Sequence, residues 1–158
     1  MTGEAAFLNR VAAFAAGPVR VGAPGWSMGE TPAPALFAEA AEIGILSMSI
    51  PAEHGGAGFG FATLVRVAEM LAAEDFGVAM SLVNTQNVAL RLCRSGTPAL
   101  TARYLPRILS GETAACTALT EPGAGSDFAA ITTLATPDGD AWHLSGKKTW
   151  IINARRAG

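Results

Sequence analysis

The sequence predicts an α+β fold, a bundle of helices followed by an incomplete antiparallel β-domain, and three observations carry that prediction. From residue 5 to residue 109 apolar residues recur at helical spacing. From Ala114 onward, β-branched runs alternate with turns rich in glycine, proline and aspartate. The two textures follow one another without interleaving, the pattern of an α+β chain or of two adjoining domains. The expected division is a helical domain over residues 1–112 and the beginning of a β-domain over 113–158.

Ala5 to Ala16 reads as a short amphipathic helix with Phe7, Leu8, Val11 and Phe14 on one side, stopped by Gly17-Pro18. Residues 17–34 hold four prolines and four glycines and read as an irregular connector. From Pro34 a helix is expected, because Leu36, Ala40 and Ile43 stand at i, i+4 and i+7 and Gly44 follows as a stop. Ile45 to Ile50 is an apolar stretch entering a glycine-rich loop, Pro51 to Gly58. A second helix over 61–75 turns Leu64, Val67, Ala68 and Leu71 inward. Gly77 separates it from a third, over 78–94, that is apolar nearly all round and therefore buried. The polar cluster on that helix, Ser81, Asn84, Thr85, Gln86 and Asn87, then needs partners or lines a cavity. Thr97-Pro98 opens a last helix to about Leu105, where Pro106 breaks or kinks it.

Strands are expected at Ala114–Thr120, Ile131–Thr136, Ala141–Leu144 and Lys148–Ile152, with Asp138-Gly139 centring a turn. So few strands close no sheet and leave unpaired edges, which stable proteins avoid.

Composition excludes several classes. Hydrophobic residues make up 50% and charged residues 15%, the opposite of a disordered chain. The 18 glycines and 9 prolines follow no three-residue period, so a collagen-like chain is out. A net charge of -2 gives no electrostatic case for nucleic acid. Cys93 and Cys116 build no disulfide framework and lack zinc-ligand spacing. No apolar run approaches the ~20 residues that span a bilayer. The start lacks a basic leader region, so no membrane association and a cytoplasmic location are expected.

The segment Thr117 to Asp127, Thr-Ala-Leu-Thr-Glu-Pro-Gly-Ala-Gly-Ser-Asp, is the most informative. Pro122 fixes one backbone angle, while Gly123 and Gly125 let the chain turn and approach a ligand closely. Exposed amides on such a loop suit a phosphate or an electron-rich ring edge, and Thr120 and Ser126 add hydroxyls. An ordinary hairpin loop has the same composition, so both readings stay open on these residues alone. Trp150, in Lys-Lys-Thr-Trp-Ile-Ile-Asn, reads singly as half-buried in a sheet.

Taken together, these two segments resemble the acyl-CoA dehydrogenase family. Ile50 to Gly58 and Tyr104 to Glu112 resemble two further family segments, so the likeness runs in order from Pro34 to Asn153. The resemblance implies a helical domain, a middle β-domain and a C-terminal four-helix domain, with FAD in the cleft between the last two and a neighbouring subunit helping to hold it. Carried over by motif, Thr117, Leu119 and Thr120 would lie along the flavin, and Trp150 would pack on its ring. Gly125 and Ser126 would sit where cofactor and the substrate's pantetheine or phosphate portion meet, which makes Ser126 a substrate contact as well. The polar cluster on helix 78–94 would face part of the acyl-chain cavity. Ile152 stands where the family has a threonine or serine that hydrogen-bonds the reactive flavin nitrogen, so one tuning donor is lost.

In the family a carboxylate removes the α-proton of an acyl-CoA thioester, the β-hydrogen passes to the flavin, and an electron-transfer flavoprotein takes the electrons. That base is expected beyond Gly158, so no catalytic residue is assigned within the chain, which alone is expected not to turn over acyl-CoA. Glu121 is expected to cap or form a salt bridge instead. Neither His54 nor His143 has metal-ligand neighbours in sequence, and no metal is expected. Cys116 is expected to be a buried thiol. Two rivals accompany this reading: a related flavoenzyme of the acyl-CoA oxidase, nitroalkane oxidase or flavin monooxygenase kind, and the non-catalytic half of a split complex. A homo-oligomer, or a partner chain carrying the C-terminal helices, is the expected assembly.

Overall fold

The computed structural model describes residues 3–157. Six α-helices come first: α1 (Gly3–Phe14), α2 (Arg20–Ser27), α3 (Pro34–Ile43), α4 (Phe61–Ala72), α5 (Phe76–Ser95) and α6 (Pro98–Leu109). A single antiparallel hairpin follows, β1 (Leu134–Asp138) and β2 (Ala141–Ser145), joined by Gly139-Asp140 with Leu134 opposite Ser145.

The main core forms where the amphipathic faces meet. Phe7, Val11 and Phe14 of α1 pack with Phe37 and Ala40 of α3, Val67 and Leu71 of α4, and Val78 and Leu82 of α5. Ile45, Leu46 and Met48 fill the same core although they belong to no regular element. A second cluster joins Ala89 of α5 to Leu105 and Ile108 of α6 and to Ile50 and Ala115. Gly44 ends α3 in the left-handed conformation. Gly111 is required for a different reason. It has φ +75°, and a Cβ there would lie 2.4 Å from the Phe37 carbonyl oxygen, so the chain leaves the bundle against α3 only because no side chain intervenes.

Several sequence expectations are corrected. Residues 17–27 are not a connector: after a kink at Gly17 (φ −96°, ψ −105°) the chain runs through a wide turn and then α2, although Pro18 and Pro24 each remove a helical hydrogen bond. Burial of Val19 and packing of Trp26 on the core hold this segment against its weak propensity. Helix α4 ends at Ala72, and α5 begins at Phe76 with Gly77 inside its first turn, because the Asp75 carboxylate caps it by accepting from Val78 N at 2.7 Å. Helix α6 carries Pro106 through to Leu109, since Leu105 and Ile108 on either side of the proline are buried. In the β-part, Ala114–Thr120 contributes an isolated bridge from Ala114 to Ala157 and no strand. Lys148–Ile152 is irregular, because Trp150 has φ +55° and cannot continue a pleat.

Candidate functional site

Two loops and one helix converge where the helical part meets the β-part. A cleft of about 310 Å³ is lined by Thr117, Leu119, Thr120, Gly125, Ser126, Trp150 and Ile152, the full set singled out from sequence. Asn84 of α5, Phe128 and Ile151 complete it. Ile151 and Ile152 also wall a larger groove of about 580 Å³ on their other side, which Trp26, Phe37, Val78, Ser81 and Arg156 line.

The two loops are held side by side by hydrogen bonds. Thr149 N donates to Thr120 O at 3.0 Å, and Lys148 Nζ donates to Leu119 O at 3.0 Å. Glu121 is the hub beneath them. Its buried carboxylate accepts from Thr133 N (2.9 Å) and Thr133 Oγ1, from Thr132 N (2.8 Å) and Thr132 Oγ1 (2.7 Å), and from Lys148 Nζ (3.0 Å). The Thr133 and Thr132 bonds, with Lys148 beside them, hold this carboxyl far below the usual carboxylate range. Glu121 is thus a buried structural anion that closes the loop, in line with the capping and salt-bridge role expected of it.

What the loop offers to the cleft is the opposite of satisfied. Among the described residues, the hydroxyls of Thr117, Thr120 and Ser126 and the amides of Gly125 and Ser126 make no hydrogen bond. Trp150 is 89% exposed rather than half-buried in a sheet, and Leu119, Phe128 and Ile152 are exposed as well. An apolar, partly aromatic surface beside free donors fits a flat ring system with a polar edge or an anionic tail.

Behind the cleft the polar cluster on α5 finds different fates. Ser81 and Thr85 are buried and bonded to Asn153, Asn84 faces the cleft, and Asn87 is exposed. Gln86 is fully buried and neither end of its amide has a partner among the described residues. Asn153 does the fastening. Its Nδ2 donates to Ser81 O (3.0 Å), Thr85 Oγ1 (3.1 Å) and Ala115 O (3.0 Å), and its Oδ1 accepts from Ser81 Oγ. Sequence reasoning passed over that role. The available signal was an asparagine directly after a β-branched pair, the residue type that best tolerates its φ of +68°.

The remaining candidates stand apart from the cleft. His54 ends a 3-10 turn and lines a separate hollow with Glu53 and Cys93, whose thiol burial pushes upward in pKa. His143 lies in the exposed strand β2. Cys116 is half-buried and outside any strand. Among the described residues no three His, Cys, Asp or Glu side chains group closely enough to hold a metal ion, and no helix is long and apolar enough to cross a membrane.

A helical bundle whose longest helix backs a glycine-rich loop and an exposed indole defines a class of α+β protein with an open, partly apolar cleft between its helical and β parts. Comparison with known proteins makes this specific. The acyl-CoA dehydrogenase N-terminal domain model matches residues 2–112, and the acyl-CoA dehydrogenase middle domain model matches residues 116–158. The chain belongs to the acyl-CoA dehydrogenase family. It is 38% identical over 135 residues to the (2S)-methylsuccinyl-CoA dehydrogenase of Cereibacter sphaeroides, covering 85% of this chain and 25% of that protein. It is also 38% identical over 115 residues to the mitochondrial very long-chain specific acyl-CoA dehydrogenase of Homo sapiens, covering 71% of this chain and 18% of that one. The crystal structure of a glutaryl-CoA dehydrogenase from Mycobacterium smegmatis in complex with FADH2 superposes with a TM-score of 0.91 at 28% identity, over 99% of this chain and 41% of that chain. The chain therefore spans about a quarter or less of the curated relatives named here.

Proposed function

We propose that the chain supplies the substrate-facing and flavin-facing wall of an FAD-dependent acyl-CoA dehydrogenase. One observation carries the reading: the seven residues assigned to flavin from motif alone line one cleft, with the Thr117, Thr120 and Ser126 hydroxyls and the Gly125 and Ser126 amides free among the described residues and the Trp150 ring exposed. In this reading Thr117, Leu119 and Thr120 lie along the flavin, and Trp150 covers one face of its ring. Gly125 and Ser126 present amides and a hydroxyl to the cofactor and to the pantetheine or phosphate part of the substrate. The chemistry a bound flavin supplies is two-electron oxidation of the α,β carbon–carbon bond of an acyl-CoA thioester.

The chain's own groups bind, orient and exclude water. Glu121 is committed to Thr132, Thr133 and Lys148 and is no general base, so the base comes from elsewhere in the assembly. The exposed Leu119 and Phe128 at the cleft, with the exposed Leu134 on one face of the hairpin and Trp142 and Leu144 on the other, support an assembly in which further polypeptide covers these surfaces, as a homo-oligomer or a partner chain. An electron-transfer flavoprotein as acceptor and a cytoplasmic location belong to the same reading. So does the division of the chain into a helical domain to residue 112 and a β-domain from 113.

Titrating the chain with FAD tests the proposal. The flavin emission falls on binding and recovers in Trp150→Gly; unchanged emission with no uptake in equilibrium dialysis, from the full assembly as well as from the chain, removes the flavin reading. Ile152 favours one second reading. With an apolar side chain where a hydroxyl donor is usual, a related flavoenzyme using oxygen fits the same cleft, and comparing oxygen with an electron-transfer flavoprotein as acceptor in the full assembly separates the two.

A further inference from the structure

We infer that Asn153 is a positioning residue for the flavin-facing segment Trp150–Ile152, anchoring it to helix α5 through its side-chain amide. The inference rests on the reading of the cleft as a flavin site and adds to it a residue outside the cleft lining.

Trp150 combines a left-handed backbone with an almost fully exposed side chain. A bulky residue is disfavoured in that conformation, and no burial of its own ring holds it there. Its orientation is therefore imposed from the two ends of the segment. On the N-terminal side the constraint is the hydrogen bond from Thr149 N to Thr120 O. On the C-terminal side it is Asn153, and that attachment is far denser. Its amide reaches Ser81 and Thr85 of α5 and the carbonyl of Ala115, while its own carbonyl accepts from Arg156 N (2.8 Å) and Ala157 N (2.9 Å). One side chain thus ties three things together: the helical part, the first residues of the β-part and the loop that carries Trp150. The αL conformation turns the chain so that Ile152 faces the cleft while the amide faces α5. Ile151 and Ile152 separate the cleft from the larger groove, so a slack anchor at residue 153 displaces the wall between them.

A residue that merely stabilises the junction and one that positions the loop differ in what their loss moves. Asn153→Gly keeps the left-handed backbone and removes the amide. Asn153→Asp keeps one acceptor and puts a carboxylate oxygen against the Ser81 and Ala115 carbonyls. The readouts are amide exchange along the chain without FAD, and the emission and visible circular dichroism of added FAD. Positioning predicts that Asn153→Gly raises exchange at Ala154, Arg156 and Ala157, whose amides donate to Ile151 O and Asn153 O, by about tenfold, the net worth of one to two hydrogen bonds, while α4 and the N-terminal half of α5 keep wild-type protection. It also predicts about tenfold weaker FAD uptake with less quenched emission, and a larger effect in Asn153→Asp. Faster exchange spread evenly over the helices overturns the inference, as does wild-type flavin emission in a variant whose Ala154, Arg156 and Ala157 amides have opened. Wild-type chain that takes up no FAD counts against the flavin reading, and the exchange pattern still decides the anchor. If Asn153→Gly fails to fold, Ser81→Ala removes only the donor to Asn153 Oδ1; it predicts the same local pattern at smaller size, and protection unchanged at Ala154, Arg156 and Ala157 overturns the inference.

Discussion

Replacing Thr85 with valine isolates the polar contact that fastens the β-part to the bundle. Thr85 is fully buried, and its hydroxyl has three partners: it donates to Ser81 O at 2.9 Å and accepts from Ala115 N at 3.3 Å and from Asn153 Nδ2 at 3.1 Å. Valine preserves the shape and removes the oxygen. Asn153 retains Ser81 O and Ala115 O for its two protons, so the group left without a partner is the buried Ala115 N–H. An orphaned buried donor costs about 1–3 kcal/mol, and the 3.3 Å separation places this one in the lower half, about 1–2 kcal/mol. For a chain of this size that lowers the melting temperature by about 3–6 °C. Urea unfolding and calorimetry give the global number, and amide exchange at Ala115 gives the local one. Thr85→Ser keeps the hydroxyl and leaves Ala115 protected even though it loses a buried methyl. If Thr85→Val melts with the wild type and its Ala115 amide stays protected, the polar junction does not hold the two parts together.

Three further outcomes follow from the same geometry. Trp150→Gly relieves a bulky residue at positive φ and removes no buried surface, so it matches or exceeds wild-type stability in thermal unfolding while losing flavin quenching. Glu121 has a folded pKa below its unfolded one; its contribution is complete at neutral pH and erodes as pH falls below about 4 towards the folded value. Thermal scans from pH 7 downward therefore show an acid-side loss that Glu121→Gln, already weakened at pH 7, largely lacks. Gly111→Ala places a Cβ 2.4 Å from the Phe37 carbonyl at φ +75° and costs about 2–4 kcal/mol by urea unfolding.

The sequence made the helical half legible wherever periodicity and caps agreed. Leu36, Ala40 and Gly44 defined α3, and Val67 and Leu71 gave the buried stripe of α4. Reading failed where tertiary packing overrode local signals. Val19 and Trp26 pull a glycine- and proline-rich segment into a helix, and no local pattern reports that pull. The β-part failed for another reason. Lys148 to Ile152 has strand-like residues, yet the direction of that chain is set at Asn153 by partners 38 to 72 positions away. The cleft residues were found by motif because each lies on one of two short segments, and Asn84 by its place in the polar cluster, whereas the fastening role of Asn153 emerges only when α5 is placed behind them.

The central claim is that the cleft between the Thr117–Ser126 loop and Trp150–Ile152 is the flavin wall. Titrating isotopically labelled chain with FAD and following its amide and indole resonances tests this most directly. The account predicts shifts concentrated at Thr117, Leu119, Thr120, Gly125, Ser126, Ile152 and the Trp150 indole, with the hollow around Cys93 and His54 silent. Saturating FAD that leaves the Trp150 indole and the Gly125 and Ser126 amides unmoved, or that shifts only residues outside the cleft, contradicts it.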